Sequence, residues 1–177
     1  LIKNSNVKIV CTTDDPADDL KYHALLAKEK DFDCKVLPGF RPDKALGIEL
    51  PGFAEYIKKL GESAGVEIKS YKDVISALLA RIDFFNAAGC RVSDHAFSYM
   101  PYVQDSEEQI EASFERAMSG EKISQRDADA YKTAVMQVLG EKYHSLGWAM
   151  EIHIGAMRNN NSKMFAALGP DTGFDSV

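Results

Sequence analysis

The stretch VKIVCTTDDP, at residues 7–16, shows the pattern that repeats along the chain. A short β-rich run is followed by a polar turn, and Asp15 and Pro16 stand at the N-cap and first position of a helix predicted over 17–29. Strand, polar turn and helix recur after it. Further strands are predicted at 35–40, with pairing ending near Leu37, at 90–95 and at 148–154. Further helices are predicted at 53–60, 71–87, 107–118 and 158–168. A long helix is predicted from an N-cap at Ser124 to about residue 146.

Strands that alternate with helices predict an α/β fold with parallel pairing and right-handed crossovers. No glycine-rich dinucleotide motif or phosphate-binding loop follows a strand, which argues against a nucleotide-binding doubly wound sheet. The remaining common architecture is a parallel (β/α)8 barrel of the TIM type, which takes about 250 residues when complete. With 177 residues, this chain is interpreted as a partial barrel of about four β/α units, cut at both ends.

Composition excludes several function classes. Hydrophobic residues make up 45% and charged residues 27%, and 21 basic against 27 acidic residues give a net charge of −6. This balance argues against a nucleic-acid binder and against an anionic-membrane anchor, although local arginines can still bind a small anion. No apolar run approaches the roughly 20 residues of a membrane span, and no signal peptide is visible. The three scattered cysteines, Cys11, Cys34 and Cys90, favour a reducing cytosolic setting with small buried thiols.

The candidate site residues are those that each predicted strand places at its C-terminal end, because this end carries the active sites of parallel α/β folds. His95 and His153 stand at the ends of two strands, where histidine can bind a divalent metal or move protons. The alternative is that each is a structural residue with satisfied hydrogen bonds. His23 and His144 lie in predicted helices and are interpreted as structural.

Arg41 ends the second strand, where a guanidinium can clamp a carboxylate or phosphate through two hydrogen bonds. The alternative is a structural ion pair with Asp43 or Asp14. Asp14 is also a candidate for a cap or turn residue. Arg158, after the fourth strand, can bind substrate or brace the loop that follows it.

Five blocks of the chain carry a resemblance to a known family. The blocks are TTDDP at 12–16, FRPD at 40–43, RVSDH at 91–95, HIGAMRNNN at 153–161 and LGPDTGFDS at 168–176. In this order they resemble successive blocks of the bacterial uronate isomerase (glucuronate isomerase) family, in the amidohydrolase superfamily of (β/α)8 barrels. The resemblance covers almost the whole chain but only the middle of the family's chain.

The resemblance implies an aldose–ketose isomerase that interconverts D-glucuronate with D-fructuronate and D-galacturonate with D-tagaturonate in hexuronate catabolism. It implies a catalytic role for His95 and His153, which would contact a divalent metal such as zinc or the substrate hydroxyls. Arg41 would clamp the C6 carboxylate, with Asp14 and Arg158 as further substrate-binding residues. The main metal ligands, a first-strand His-x-His pair and an eighth-strand Asp, would lie outside this chain.

On this resemblance, residues 1–177 are the central part of the barrel domain, with helical insertions at about 53–87 and 105–147. The segment alone is expected to be inactive. The full-length protein is expected to be a cytoplasmic homo-oligomer that uses no nucleotide cofactor and binds neither nucleic acid nor membrane. Two alternatives stay open: a metal-dependent hydrolase of the same superfamily, and a non-catalytic half barrel that acts by association through its open sheet edges.

Overall fold

The computed structural model describes residues 1–170 and 172–176. Within them lie four strands, β1 to β4, and seven helices, α1 to α7, with at least one helix between successive strands. The strands are β1 (Ile9–Cys11), β2 (Lys35–Leu37), β3 (Val92–Phe97) and β4 (Ala149–Ile154). The helices are α1 (Lys21–Leu26), α2 (Asp43–Leu46), α3 (Phe53–Ala64), α4 (Tyr71–Ala87), α5 (Glu107–Met118), α6 (Gln125–Leu146) and α7 (Ser162–Leu168).

The described strands form one parallel succession. β1 pairs with β2, and β3 pairs with β4, both in parallel. The two pairs meet at Phe40, just after β2, which forms a parallel bridge to Ser93 of β3. Phe40 N–H donates to the Val92 carbonyl at 3.1 Å, and Asp94 N–H donates to the Phe40 carbonyl at 2.9 Å. The order β1–β2–β3–β4 confirms the predicted α/β class with parallel strands.

The helix predicted over 17–29 is shorter than expected, because α1 covers only Lys21–Leu26. Asp15 is not its N-cap. Asp15 Oδ1 instead accepts from Ala17 N–H at 2.9 Å, and Asp18 Oδ1 accepts from Leu20 N–H at 2.7 Å. Such side-chain to backbone bonds close local turns that compete with a helix, and Leu20 takes the left-handed conformation with φ 53°.

Helices α3 to α6 supply most of the core. The apolar stripe predicted in α4 is confirmed, since Val74, Leu78, Ile82 and Phe85 are fully buried. Phe85 meets Phe40 edge to face, with ring centroids 5.1 Å apart. The core therefore fixes the residue that directly precedes Arg41.

The predicted N-cap of α6 is also confirmed. Ser124 Oγ accepts from Asp127 N–H at 3.1 Å, which satisfies one of the free donors of the first turn. Further along α6, Tyr131 Oη–H donates to the Ala45 carbonyl at 3.0 Å. This buried bond ties α6 to the short helix α2.

Arg81 of α4 fixes the loop that follows β1. Its Nε–H donates to the Pro16 carbonyl at 2.7 Å, and its Nη2–H donates to the Asp18 carbonyl at 2.7 Å. Its Nη1–H donates to the Ser63 carbonyl of α3 at 3.0 Å. A guanidinium presents five donors in a fixed plane, so one side chain joins this loop to two helices.

The outer strands β1 and β4 are the least covered part of the sheet. Ile9 of β1 is 57% exposed and Ile154 of β4 is 52% exposed. Cys11, expected to be buried, is exposed because it lies on β1, whereas Cys34 and Cys90 are buried as predicted. No helix within the described residues is long and apolar enough to cross a membrane.

Candidate active site

The Asp94 carboxylate, within β3, contacts polar side chains of β4 and of the segments that follow β1 and β2. Its Oδ1 accepts a hydrogen bond from His153 Nε2 of β4 at 2.9 Å. Its Oδ2 lies 3.4 Å from Arg41 Nη1, after β2. The same oxygen accepts a long hydrogen bond from Thr13 Oγ1, after β1, at 3.5 Å. These four residues are called the Asp94 cluster below.

The strand register explains why these side chains meet. Side chains alternate between the two faces of a strand, so Asp94 and Ala96 share one face of β3. Ala96 lies opposite His153 in the parallel ladder, which places His153 on that face. Phe40 bridges Ser93, so Arg41 follows next to Asp94.

Arg41 forms the ion pair with Asp43 that the sequence offered as the alternative to a substrate clamp. It lies at the strand end, as a carboxylate clamp requires, and it is also held by an ion pair with Asp43. Arg41 Nε–H donates to Asp43 Oδ2 at 2.7 Å. Arg41 N–H also donates to the Asp14 carbonyl at 2.9 Å.

The structure does not bring His95 together with His153. His95 is fully buried, and it lies on the opposite face of β3 from Asp94 because of the period of the strand. Its ring stacks on Phe97 at 6.3 Å and lies 5.8 Å from the ring of Tyr143 in α6. Burial lowers the pKa of His95 to about 4, so the ring is neutral at neutral pH.

Asp14 binds groups of its own strand pair. Its Oδ2 accepts from Thr12 Oγ1–H at 2.6 Å and from Gly39 N–H at 3.2 Å. Thr12 Oγ1 also lies 2.7 Å from His23 Nε2, which agrees with the structural role predicted for His23. These contacts give Asp14 a bracing role where β1 and β2 end, beside the Asp94 cluster.

Arg158 is engaged in the last described turn. Its Nη1–H donates to Asp175 Oδ2, and Asp175 Oδ1 accepts from Asn159 N–H at 2.9 Å. This is the loop-bracing alternative for Arg158. Asp171, in the last of the five sequence blocks, lies outside the described residues.

The described residues do not by themselves fit a divalent metal. Over residues 1–170 and 172–176, no group of three or more His, Cys, Asp or Glu side chains could hold one. His153 and Asp94 are bonded to each other, and His95 lies on the other face of β3. A catalytic zinc site takes three protein ligands, and the main ligands are expected outside this chain, so metal contact by His95 and His153 stays a prediction.

Asp94 was not among the substrate or catalytic residues predicted from the sequence. The sequence places Asp94 and His95 side by side at the end of one strand, and their strand alternation allows only one of them to face the site. One signal favours Asp94: a carboxylate is very rarely buried without a partner, whereas a neutral histidine is more readily buried. That comparison was available from the sequence alone.

A cavity of about 300 Å³ adjoins the Asp94 cluster. It touches the cluster through Asp43, which binds Arg41, and through Ala96, which lies opposite His153. Its volume is at the lower end of the range of small-molecule sites. It is lined by Asp43, Leu46, Gly47, Glu49, Leu50, Ala96, Phe97, Ser98, Tyr99, Pro101, Gln125, Asp129 and Lys132.

Comparison with known proteins shows which family the chain resembles. The uronate isomerases of Caldanaerobacter subterraneus and Clostridium acetobutylicum are each 51% identical to the chain over 177 residues, which are 100% of this chain and 38% of theirs. The chain therefore spans less than two-fifths of the length of these relatives.

Two solved structures show the same fold. The crystal structure of uronate isomerase from Thermotoga maritima has 35% identity and a TM-score of 0.91, over 99% of this chain and 39% of that one. The glucuronate isomerase structure from Caulobacter crescentus, at 24% identity, agrees in fold with a TM-score of 0.86, over 99% of this chain and 36% of that one. A family model described as glucuronate isomerase matches residues 1–177. The chain therefore belongs to the glucuronate isomerase family.

Proposed function

We propose that this chain is the central part of a uronate isomerase that interconverts D-glucuronate with D-fructuronate and D-galacturonate with D-tagaturonate. The observation that carries the proposal is the Asp94 cluster, in which one carboxylate joins an arginine and a histidine on one face of the parallel strands. An aldose–ketose isomerase of sugar acids needs a cation for the carboxylate and a group that moves protons. Family membership supports the same reaction.

For the architecture, we propose a partial (β/α)8 barrel of about four units over residues 1–177, with helical insertions at about 53–87 and 105–147. The exposed outer strands β1 and β4 support it, because further strands of a longer chain would pair there and close the barrel. The segment alone would then be inactive.

In the proposed reaction, Arg41 binds the C6 carboxylate of the open-chain sugar acid. Asp94 orients both Arg41 and His153. An ionised carboxylate only accepts hydrogen bonds, so His153 donates from Nε2–H to Asp94 and keeps a lone pair on Nδ1. This nitrogen can take or return a proton as the carbonyl group moves between C1 and C2.

The other predicted residues take lesser parts in this proposal. Asp14 braces the ends of β1 and β2 beside the substrate, and Arg158 contacts the substrate only if it leaves Asp175. A catalytic role for His95 stays a prediction. A divalent metal such as zinc would take its main ligands from outside this chain.

We further propose a cytoplasmic full-length protein that forms homo-oligomers, takes a hexuronate as its small-molecule partner and uses no nucleotide cofactor. Neither nucleic acid nor membrane would be a partner. The net charge of −6 supports this, because polyanions and anionic lipid surfaces repel an acidic protein.

The test is to express the segment alone and within a polypeptide of the relatives' length, and to supply D-glucuronate in D2O. The longer protein should form the ketose and exchange the C2 hydrogen for deuterium, as NMR would show, and the segment alone should do neither. Addition and removal of a chelator would test the metal. Absence of both ketose and exchange in a folded full-length protein would overturn the proposed function.

A second candidate is a non-catalytic role by association, favoured by the exposed apolar residues of β4. Met150 is 36% exposed and Ile152 is 37% exposed. Size-exclusion chromatography separates the two candidates, because a segment that acts by association would form a defined complex whose formation adds no turnover.

A further inference from the structure

Asp43 contacts the ends of two strands at once. Its Oδ2 accepts from Arg41 Nε–H at 2.7 Å, and its Oδ1 accepts a weaker bond from Ala96 N–H of β3 at 3.4 Å. Arg41 Nη1 in turn lies 3.4 Å from Asp94 Oδ2. The guanidinium is therefore held between one carboxylate at its Nε side and another at its Nη1 side.

The backbone of Asp43 is itself held in place. Asp43 is the first residue of α2, in which Ala45 and Leu46 are buried. Tyr131 Oη–H of α6 donates to the Ala45 carbonyl at 3.0 Å. The backbone of Asp43 therefore has a fixed position, and its carboxylate can hold the Arg41 guanidinium relative to it.

We propose that Asp43 is a positioning residue that directs the Arg41 guanidinium toward the carboxylate of the substrate. The inference rests on the proposed function and adds a residue that sets the strength of uronate binding. By occupying Nε–H, Asp43 sets the plane of the guanidinium relative to β3. A bidentate arginine–carboxylate pair depends on that plane, because its two N–H bonds run parallel.

A charge effect and a positioning effect of Asp43 predict opposite changes in anion binding when the residue is substituted. Its carboxylate adds a negative charge beside the proposed anion site, so removing it lowers the repulsion of an incoming uronate. If charge were the whole effect, substitution of Asp43 would tighten anion binding. A positioning role predicts weaker binding in spite of the lost repulsion.

The experiment measures binding by calorimetry in a polypeptide of the relatives' length. The probe is L-gulonate, which is D-glucuronate reduced at C1 and therefore carries the carboxylate but cannot isomerise. Glucitol, which has hydroxyls and no carboxylate, is the control ligand. Asp43→Ala removes both hydrogen bonds, whereas Asp43→Asn keeps one carbonyl oxygen as an acceptor for Arg41 Nε–H.

Glu49→Gln is the matched control variant. Glu49 lines the same cavity as Asp43 but forms its ion pair with Lys132. This substitution removes one nearby negative charge and leaves the ion pairs of Arg41 with Asp43 and Asp94 in place.

We expect Asp43→Ala to weaken L-gulonate binding about tenfold, the change that 1.4 kcal/mol produces, with Asp43→Asn between it and the unsubstituted protein. The Glu49→Gln variant should bind L-gulonate as tightly as the unsubstituted protein or more tightly. The affinity for glucitol should be the same in all variants. In turnover, KM for D-glucuronate should rise while kcat stays within about threefold. If Asp43→Ala does not fold, as circular dichroism would show, Asp43→Asn decides.

Unchanged or tighter L-gulonate binding in the folded Asp43 variants would overturn the positioning role alone. A folded, unsubstituted protein that neither binds L-gulonate nor isomerises D-glucuronate would overturn the proposed function, and this inference with it.

Discussion

Asp94 and His95 are neighbours on β3 but lie in opposite environments. On one face, Asp94 contacts Arg41, His153 and Thr13 at the strand ends. On the other face, His95 is fully buried among aromatic rings and packs against α6. One peptide bond thus separates a side chain of the candidate site from a side chain of the core.

The difference shows that only every second residue of a strand can point its side chain into a site on one face of the sheet. His95 has the more versatile chemistry, since histidine is the side chain that most readily exchanges protons near neutral pH. Its position on the core face removes that advantage, because burial holds its pKa at about 4. The less versatile carboxylate takes the central place in the cluster.

The largest expected effect is that of Asp94→Asn on turnover. The amide removes the negative charge that orients Arg41 and His153, so kcat/KM for D-glucuronate should fall about 100- to 1,000-fold, within the usual range for a group that supports proton transfer. The melting temperature should change little. Asp129→Asn, at the rim of the cavity, is the control. A loss below about threefold for Asp94→Asn would contradict the central place of Asp94.

The next effect is on stability and concerns the other face. His95→Ala should lower the free energy of unfolding by about 2–3 kcal/mol, because it leaves a cavity in the core. His153→Ala should cost less than about 1 kcal/mol, since the His153 side chain is 39% exposed. Urea titrations of both variants give the two values. A fully stable His95→Ala protein without activity would place His95 in the reaction instead.

A third effect is the part of the pH dependence of stability between about pH 7 and 5 that His95 should supply. Its pKa is 6.5 in the unfolded chain and about 4 in the folded protein, so the unfolded state takes up a proton first as the pH falls. The contribution of His95 to the free energy of unfolding is fully present above about pH 6.5. About 2 kcal/mol of this stability should be lost as the pH falls to 5.

The difference between the unsubstituted protein and His95→Phe isolates this contribution, because carboxylates titrate alike in both. Urea titrations at pH 7, 6 and 5 measure it. A constant difference across these three values would show that His95 is not buried as a neutral ring.

The smallest expected effect tests the edge of the Asp94 cluster. Thr13→Val keeps the shape of the side chain but removes the 3.5 Å hydrogen bond to Asp94. A bond of this length contributes little, so KM for D-glucuronate should rise by less than about threefold. A larger rise would show that Thr13 contacts the substrate itself.

Much of the fold could be predicted from local patterns. The stripe of Val74, Leu78, Ile82 and Phe85 located α4 and its buried face, and Ser124 located the start of α6. The prediction failed at α1, where three aspartates within five residues can each bond to the backbone nearby. Local propensity cannot decide such a competition, because the Arg81 contacts to the Pro16 and Asp18 carbonyls also hold the loop.

For the candidate site, the sequence alone determined which chemical groups stand at the strand ends: Arg41, the Asp94–His95 pair and His153. It also carried the family resemblance, because the order of the five sequence blocks is a property of the chain itself. Which of these groups meet was decided only by the tertiary structure. Packing against α6 and the Phe40–Ser93 bridge decide which face of β3 points toward the core. Both contacts join residues far apart in the sequence. A shift of one residue in that register would exchange Asp94 and His95.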